Sequence, residues 1–242
     1  ARFRRKRRSP ATTTGATSAQ MEKMRGTAKA LGGDIRLPGT SAGDAAAAML
    51  ELAKGGLSVE ESMSGARGVL ELSAAAQIEN AEAATIVADA LNTFSLAGED
   101  ASRVSDLLAA TANASTAEIT DVASGFQQAG AVFASNGVPI EDLSAALGLM
   151  ANAGIKGSDA GTSPKSMMMR LTAPTAQAGR AIEELGLRIY DAQGNMLPFD
   201  NIVGQLEDRT KGLSQEQRNM AYETILGSDA IRAATVLTEA GA

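Results

Sequence analysis

The chain has 242 residues, enough for one large or two small domains with a sizeable core, but only 3% are aromatic, none is Trp and 10 are Met. It contains no Cys and no His, which removes disulfide frameworks, thiol nucleophiles, Ser-His triads and the usual zinc ligands; no metal, no cofactor and no enzymatic activity is expected. The formal net charge is −6, yet six positive charges (Arg2, Arg4, Arg5, Lys6, Arg7, Arg8) fall within the first eight residues, so the remainder carries −12.

The N-terminal segment, residues 1–20, is a basic arm that continues into a low-complexity Ser/Pro/Thr stretch with too little apolar surface to fold alone. Two readings of it stand side by side. It is a solvated tail, or its six cations contact a polyanion such as DNA without sequence preference, since Phe3 is its one aromatic residue. No run approaches the ~18 apolar residues of a membrane span, so no membrane contact is expected. The basic start leads into polar residues instead of an apolar core, so no signal peptide is read and the chain is expected to be made in the cytoplasm. A start at Ala1 instead of Met reads as processing or as part of a longer protein.

Residues 21–242 read as a helical core of short amphipathic segments. Ser58/Glu61, Ser115/Glu118 and Ser214/Gln217 each have the spacing of a capping box, in which two side chains satisfy each other's orphan backbone N–H groups. Gly55-Gly56, Gly98, Asn136-Gly137, Gly186, Gly212 and Gly227 supply the stops. Between them, Ile86, Val87, Ala90, Leu91 and Phe94 form one apolar face, and Ile119, Val122, Ala123 and Phe126 another. A faint repeat relates Asp44, Ala47, Ala48, Met49, Ala53, Gly56 and Leu57 to Asp142, Ala145, Ala146, Leu147, Ala151, Gly154 and Ile155, 98 positions later. Two pseudo-repeated helical halves and chance alanine matches explain it equally well.

The most informative stretch is residues 147–162 (LGLMANAGIKGSDAGT). Leu143, Ala146, Leu147 and Met150 form a helix face before it, and Met167, Met168 and Leu171 one after it. Asn152, Ala153, Gly154, Ile155, Lys156, Gly157, Gly161 and Thr162 therefore read as a tight helix-to-helix turn, whose glycines serve positive φ or close backbone approach. Ser163 is expected to cap the second helix, with Pro164 at its first position. A phosphate loop is disfavoured, because Lys156 lies on the wrong side and no strand precedes it. Further on, Leu187 to Tyr190 and Met196 to Phe199 flank the turn formers of Asp191-Ala-Gln-Gly-Asn195, which predicts a small β-hairpin with Pro198 on its edge. That turn lacks the alternating acids and distal Glu of a calcium loop. The expected fold is mostly α, a multi-helix domain of short antiparallel amphipathic helices with that one hairpin.

Residues 147–162, with 167–171 (MMMRL) and Ala173-Pro174, resemble the core signature of phage tail tape measure proteins of the TP901 type. Residues 50–58 (LELAKGGLS), 86–94 (IVADALNTF) and 105–115 (SDLLAATANAS) match in the same order, so the resemblance spans roughly residues 34–240. Where that family runs on with Ala-Leu-Arg, this chain has Ser163-Pro164-Lys165. The resemblance implies a structural virion protein, inside the tail tube or at the tail tip, that helps set tail length, templates tube assembly and leaves ahead of DNA ejection. It further implies a homo-oligomer, a trimer favoured, contacting tail tube and tail-tip or baseplate hub proteins. Even as one continuous helix at 1.5 Å per residue the chain would reach only about 360 Å, so it reads as a compact part of a longer ruler. The competing reading is a cytoplasmic helical module that binds nucleic acid through the arm.

Overall fold

The computed structural model of the chain describes residues 16–241; the basic residues Arg2 to Arg8 lie outside them. Twelve α-helices occur among the described residues: α1 Ser18–Gly32, α2 Ala42–Lys54, α3 Val59–Ala76, α4 Asn80–Thr93, α5 Ala101–Asn113, α6 Ile119–Ser135, α7 Ile140–Asn152, α8 Gly157–Thr172, α9 Ala176–Glu184, α10 Phe199–Thr210, α11 Gln215–Leu226 and α12 Ser228–Ala240. A single 3-10 turn, Gly98–Asp100, precedes α5. The chain divides into two compact units, residues 1–109 and 110–242.

In the first unit α2 is the central helix, packed against α1, α3 and α4. Its inward face of Ala45, Ala48, Met49 and Leu52 is fully buried, and small residues let the neighbouring helices come close. Gly68 of α3 lies so near the backbone of Ser102 that an added Cβ would sit 2.7 Å from its Cα. Caps set the helix starts as the spacing predicts at Ser58, where Glu61 Nα–H donates to the Ser58 hydroxyl and the Glu61 carboxylate accepts from the Ser58 N–H. The same exchange occurs at Ser41/Asp44 and Thr17/Gln20.

In the second unit the most extensive pairing is α6 against α8, and α12 packs against α7, α8, α10 and α11. Phe133 and Phe199 meet edge to face at 5.1 Å, and Met150, Met167 and Met168 fill the remaining interior. Ser214 and Gln217 form the expected capping box at α11.

Three expectations are corrected. The hairpin is absent: among the described residues one isolated antiparallel bridge, Tyr190 to Met196, is all that forms there. In that register the next hydrogen-bonded pair would join Leu187 to Phe199, but Leu187 N–H donates to Ile182 C=O at 2.9 Å at the end of α9 and Phe199 opens α10, while the outward-facing N–H and C=O of Arg188 bond the Gln205 side chain at 2.9 and 3.1 Å. Pro198 then serves as the N-cap of α10. The Ser115/Glu118 box does not form either, because Ser115 accepts from Ala117 N–H and Glu118 N–H donates to Asp121. Finally, Ser163 does not open the second helix of the turn. That helix, α8, begins six residues earlier at Gly157, and Pro164 lies within it. Helix propensity in Gly-Ser-Asp-Ala-Gly-Thr is poor, but packing of this stretch on α6 overrides it.

Candidate functional site: the glycine-rich joint

Residues 152–157 connect α7 to α8 and all belong to the second unit. The end of α7 is closed by a Schellman motif: Ile155 N–H donates to Met150 C=O at 2.9 Å and Gly154 N–H to Ala151 C=O at 2.9 Å, with Gly154 at φ +83°. A side chain at Gly154 would be strained by that φ, which is why the sequence has glycine there. Ninety-eight positions earlier, Leu57 donates to Leu52, Gly56 to Ala53, and Gly56 has φ +100°. The two helices so terminated, α2 and α7, have bounds offset by the same 98 residues.

The joint is docked on the loop between α5 and α6. Thr116 N–H donates to Asn152 Oδ1 at 3.0 Å, the Thr116 hydroxyl donates to Ala151 C=O at 2.7 Å, and Lys156 Nζ donates to Thr116 C=O. Both polar side chains of the turn, Asn152 and Lys156, are thereby committed to fixing its position. Gly157 opens α8 at φ +60°, and the Thr162 hydroxyl bonds back to Ser158 C=O within that helix. Gly161 serves close approach: a Cβ there would lie 2.8 Å from Gln128 Cβ and 3.0 Å from Gly125 C on α6, nearer than packed carbons come.

Ser163 follows as a fully buried residue. Its hydroxyl accepts from Ala233 N–H at 3.0 Å and donates to Asp229 C=O at 2.7 Å. Those are the two groups that an α-helical turn pairs with each other, so Ser163 is seated in the hydrogen-bond ladder of α12. The sequence reading missed Thr116, Gly125 and this use of Ser163. Isolated glycines at 125 and 161 within helical patterns are the signal that could have paired α6 with α8.

A second feature of the unit is a cleft of about 170 Å³ lined by Ala145, Leu149, Phe199, Val203 and Leu237, with Asp142 and Asp200 at its edge. Partial burial, then the charges of Asp200 and Glu141, push the Asp142 carboxyl above the usual Asp range. In the abortive hairpin, Asp191 accepts from Gln193 and Asn195 N–H and from the Asn195 side chain, which lowers its pKa and leaves a closed Asx turn. No group of three or more acidic side chains placed to hold a metal ion occurs among the described residues, and no described helix is long and apolar enough to cross a membrane.

Comparison with known proteins bears on this arrangement directly. Residues 25–227 match the model of a family described as phage-related minor tail protein. The chain is 36% identical over 227 residues, 94% of its length, to the tape measure protein of Pneumococcus phage Dp-1, and 31% identical over 227 residues to the probable tape measure protein of Escherichia phage P2. It spans only 20% of the first relative and 27% of the second. No solved structure matches it. The joint, its docking loop and the α6–α8 contact all lie within the matched region, and the chain belongs to the phage-related minor tail protein family, with tape measure proteins among its relatives.

Proposed function

We propose that this chain is a folded segment of a tape measure protein, which helps set tail length, templates tube assembly and is housed in the tube or at the tail tip before DNA ejection. A structural role in a phage tail, and so a place in the virion, follows from the family itself. The observation that carries the finer reading is that 94% of this chain aligns with a fifth of a tape measure protein. Helices of 9 to 18 residues joined by tight turns make a poor ruler by themselves. Length is then set by the extended remainder of the protein, while this block engages the proteins that start the tube. Its partners are other copies of itself, the tail tube and the tail-tip hub, and exposed Ala74, Ala75 and Ala110 leave shallow apolar surface for them. The site chemistry is structural and no reaction is assigned to it.

The test is an in-frame deletion of this segment from the gene that encodes it, read by electron microscopy of lysates and mass spectrometry of purified particles. Loss of tails, or tails of irregular length, is the expected outcome. Particles with normal tails that lack the protein would overturn the reading, and steeply salt-dependent DNA binding by the isolated chain would then favour the nucleic-acid module.

A further inference from the structure

The described surface of the first unit carries one large aliphatic side chain that touches almost nothing. Ile35, between α1 and α2, is 91% exposed, well beyond the next such residue, Met220 at 64%. A single exposed Ile is ordinary, but this one is held in place. The carboxylate of the preceding Asp34 accepts from the Arg36 backbone N–H at 2.9 Å, from Arg36 Nε at 3.2 Å and Nη2 at 3.0 Å, and from Arg67 Nη2 of α3. The loop is therefore clamped on both sides of the apolar tip. An anchor fixed before contact loses less conformational freedom on binding than a free one.

The cleft of the second unit is the matching feature. Its wall is aliphatic and aromatic, from Leu149, Phe199, Val203 and Leu237, and its size is that of an apolar void known to admit a benzene-sized group. One branched aliphatic side chain fits it. Asp142 and Asp200 stand at its edge, and neither is paired with a cation among the described residues. Arg36, beside Ile35, has a side chain 74% exposed and N–H groups left over after Asp34. A knob with an adjacent cation and a hole with adjacent anions are complementary in both size and sign.

We propose that Ile35 of one copy inserts into the Leu149/Phe199/Val203/Leu237 cleft of a second copy, with Arg36 reaching Asp142 and Asp200 at the rim. The contact is heterologous, since the two faces differ. Each copy in such an assembly still offers a knob or a hole, so successive copies can close into a ring or continue as a chain. This deepens the self-association proposed above and rests on it for its partner.

The experiment uses the whole 242-residue chain in sedimentation velocity over a wide concentration series. Three proteins are compared: wild type, Ile35→Asp without the knob, and Ala145→Phe with the cleft filled. Both positions are exposed, and unchanged circular dichroism melts establish that the variants fold. Wild type is expected to self-associate, and each variant to do so at least about tenfold more weakly, the loss that removing one buried aliphatic side chain implies. Mixing the two variants is the diagnostic arm. The hole of Ile35→Asp accepts the knob of Ala145→Phe, and the mixture stops at a dimer. A monomeric wild type, or a mixture that stays monomeric, overturns the contact. Wild-type association that both variants retain overturns the knob and hole while leaving self-association through another face intact.

Discussion

Replacing Gly161 by Ala adds one methyl group where α8 crosses α6. Alanine alone favours a helix over glycine by about 1 kcal/mol. Here the new Cβ would meet Gln128 Cβ at 2.8 Å and Gly125 C at 3.0 Å, and most of what it meets is helix backbone, which cannot rotate away. Overpacking of this kind costs about 1–3 kcal/mol, and the immovable neighbour puts it in the upper half of that range. The net expectation is a loss of about 1–2 kcal/mol, or roughly 0.5–1 M in urea midpoint at the usual denaturant slopes. Gly179 in α9 is the control, because a Cβ there meets nothing within 4 Å. The same substitution at that position should stabilise by about 0.4–1 kcal/mol. Urea titration gives the totals, and hydrogen exchange localises the loss to α6 and α8 while α2 and α3 stay unchanged. If Gly161→Ala proves as benign as Gly179→Ala, the close crossing of α6 and α8 is wrong.

Ser163→Ala leaves the Asp229 carbonyl and Ala233 N–H without the hydroxyl between them and should cost about 1–3 kcal/mol in the same urea titration; a loss under about 0.5 kcal/mol would mean that α12 closes its own ladder there. Tyr222→Phe removes the hydroxyl that lies 3.2 Å from both Thr210 and Thr238 in the interior, with an expected loss of about 0.5–1.5 kcal/mol; an unchanged midpoint would show those contacts to be idle. Asp142 has a raised folded pKa, so its charge opposes folding at neutral pH and that penalty fades as pH falls through the folded value toward the unfolded one. Asp142→Asn should therefore stabilise at neutral pH and lose its advantage near pH ~4, and a benefit that grows on acidification would contradict the assignment. Asp34 has the opposite sign: its hydrogen bonds with Arg36, then Arg67, hold its carboxyl well below the usual range, so its contribution is present above the ordinary Asp value and disappears as pH falls through the folded one. Faster hydrogen exchange across the α1–α2 loop in Asp34→Asn at neutral pH checks this, and unchanged exchange would remove the clamp.

Helix existence was legible because periodicity and caps act locally. Leu143, Ala146, Leu147 and Met150 fall on one face in the sequence and are all buried, as are Ile119, Val122, Ala123 and Phe126. The turn at Gly154 was legible for the same reason, since a glycine after an apolar face answers a local demand of the backbone. What could not be read were outcomes decided by distant partners. Residues 157–162 look like loop until α6 is laid beside them, and Ser163 looks like a cap until α12, some 66 residues on, presents the carbonyl of Asp229. The hairpin failed on a similar competition: its turn is chemically sound, but the end of α9 keeps the Leu187 N–H and α10 takes Phe199, so the next pair cannot form. The cleft beside Asp142 gave no sequence signal, because α7, α10 and α12 build it from residues that each look like ordinary core.

The placement of Ser163 in the ladder of α12 also governs how the second unit yields to force. A pull applied along the chain at Gly241 loads α12 before any other helix, and α12 is pinned to α8 at one buried point by two short hydrogen bonds. Such a pin is stiff while dry and weak once water reaches it, because the released carbonyl and N–H can then bond to solvent or to each other at little cost. The unit is thus built with a threshold. Small tensions leave α12 in place, whereas a tension that strips it opens the Met-lined interior beneath, and the remaining helices, left with an opened core and a few hydrogen bonds such as those of Thr116, follow at lower load.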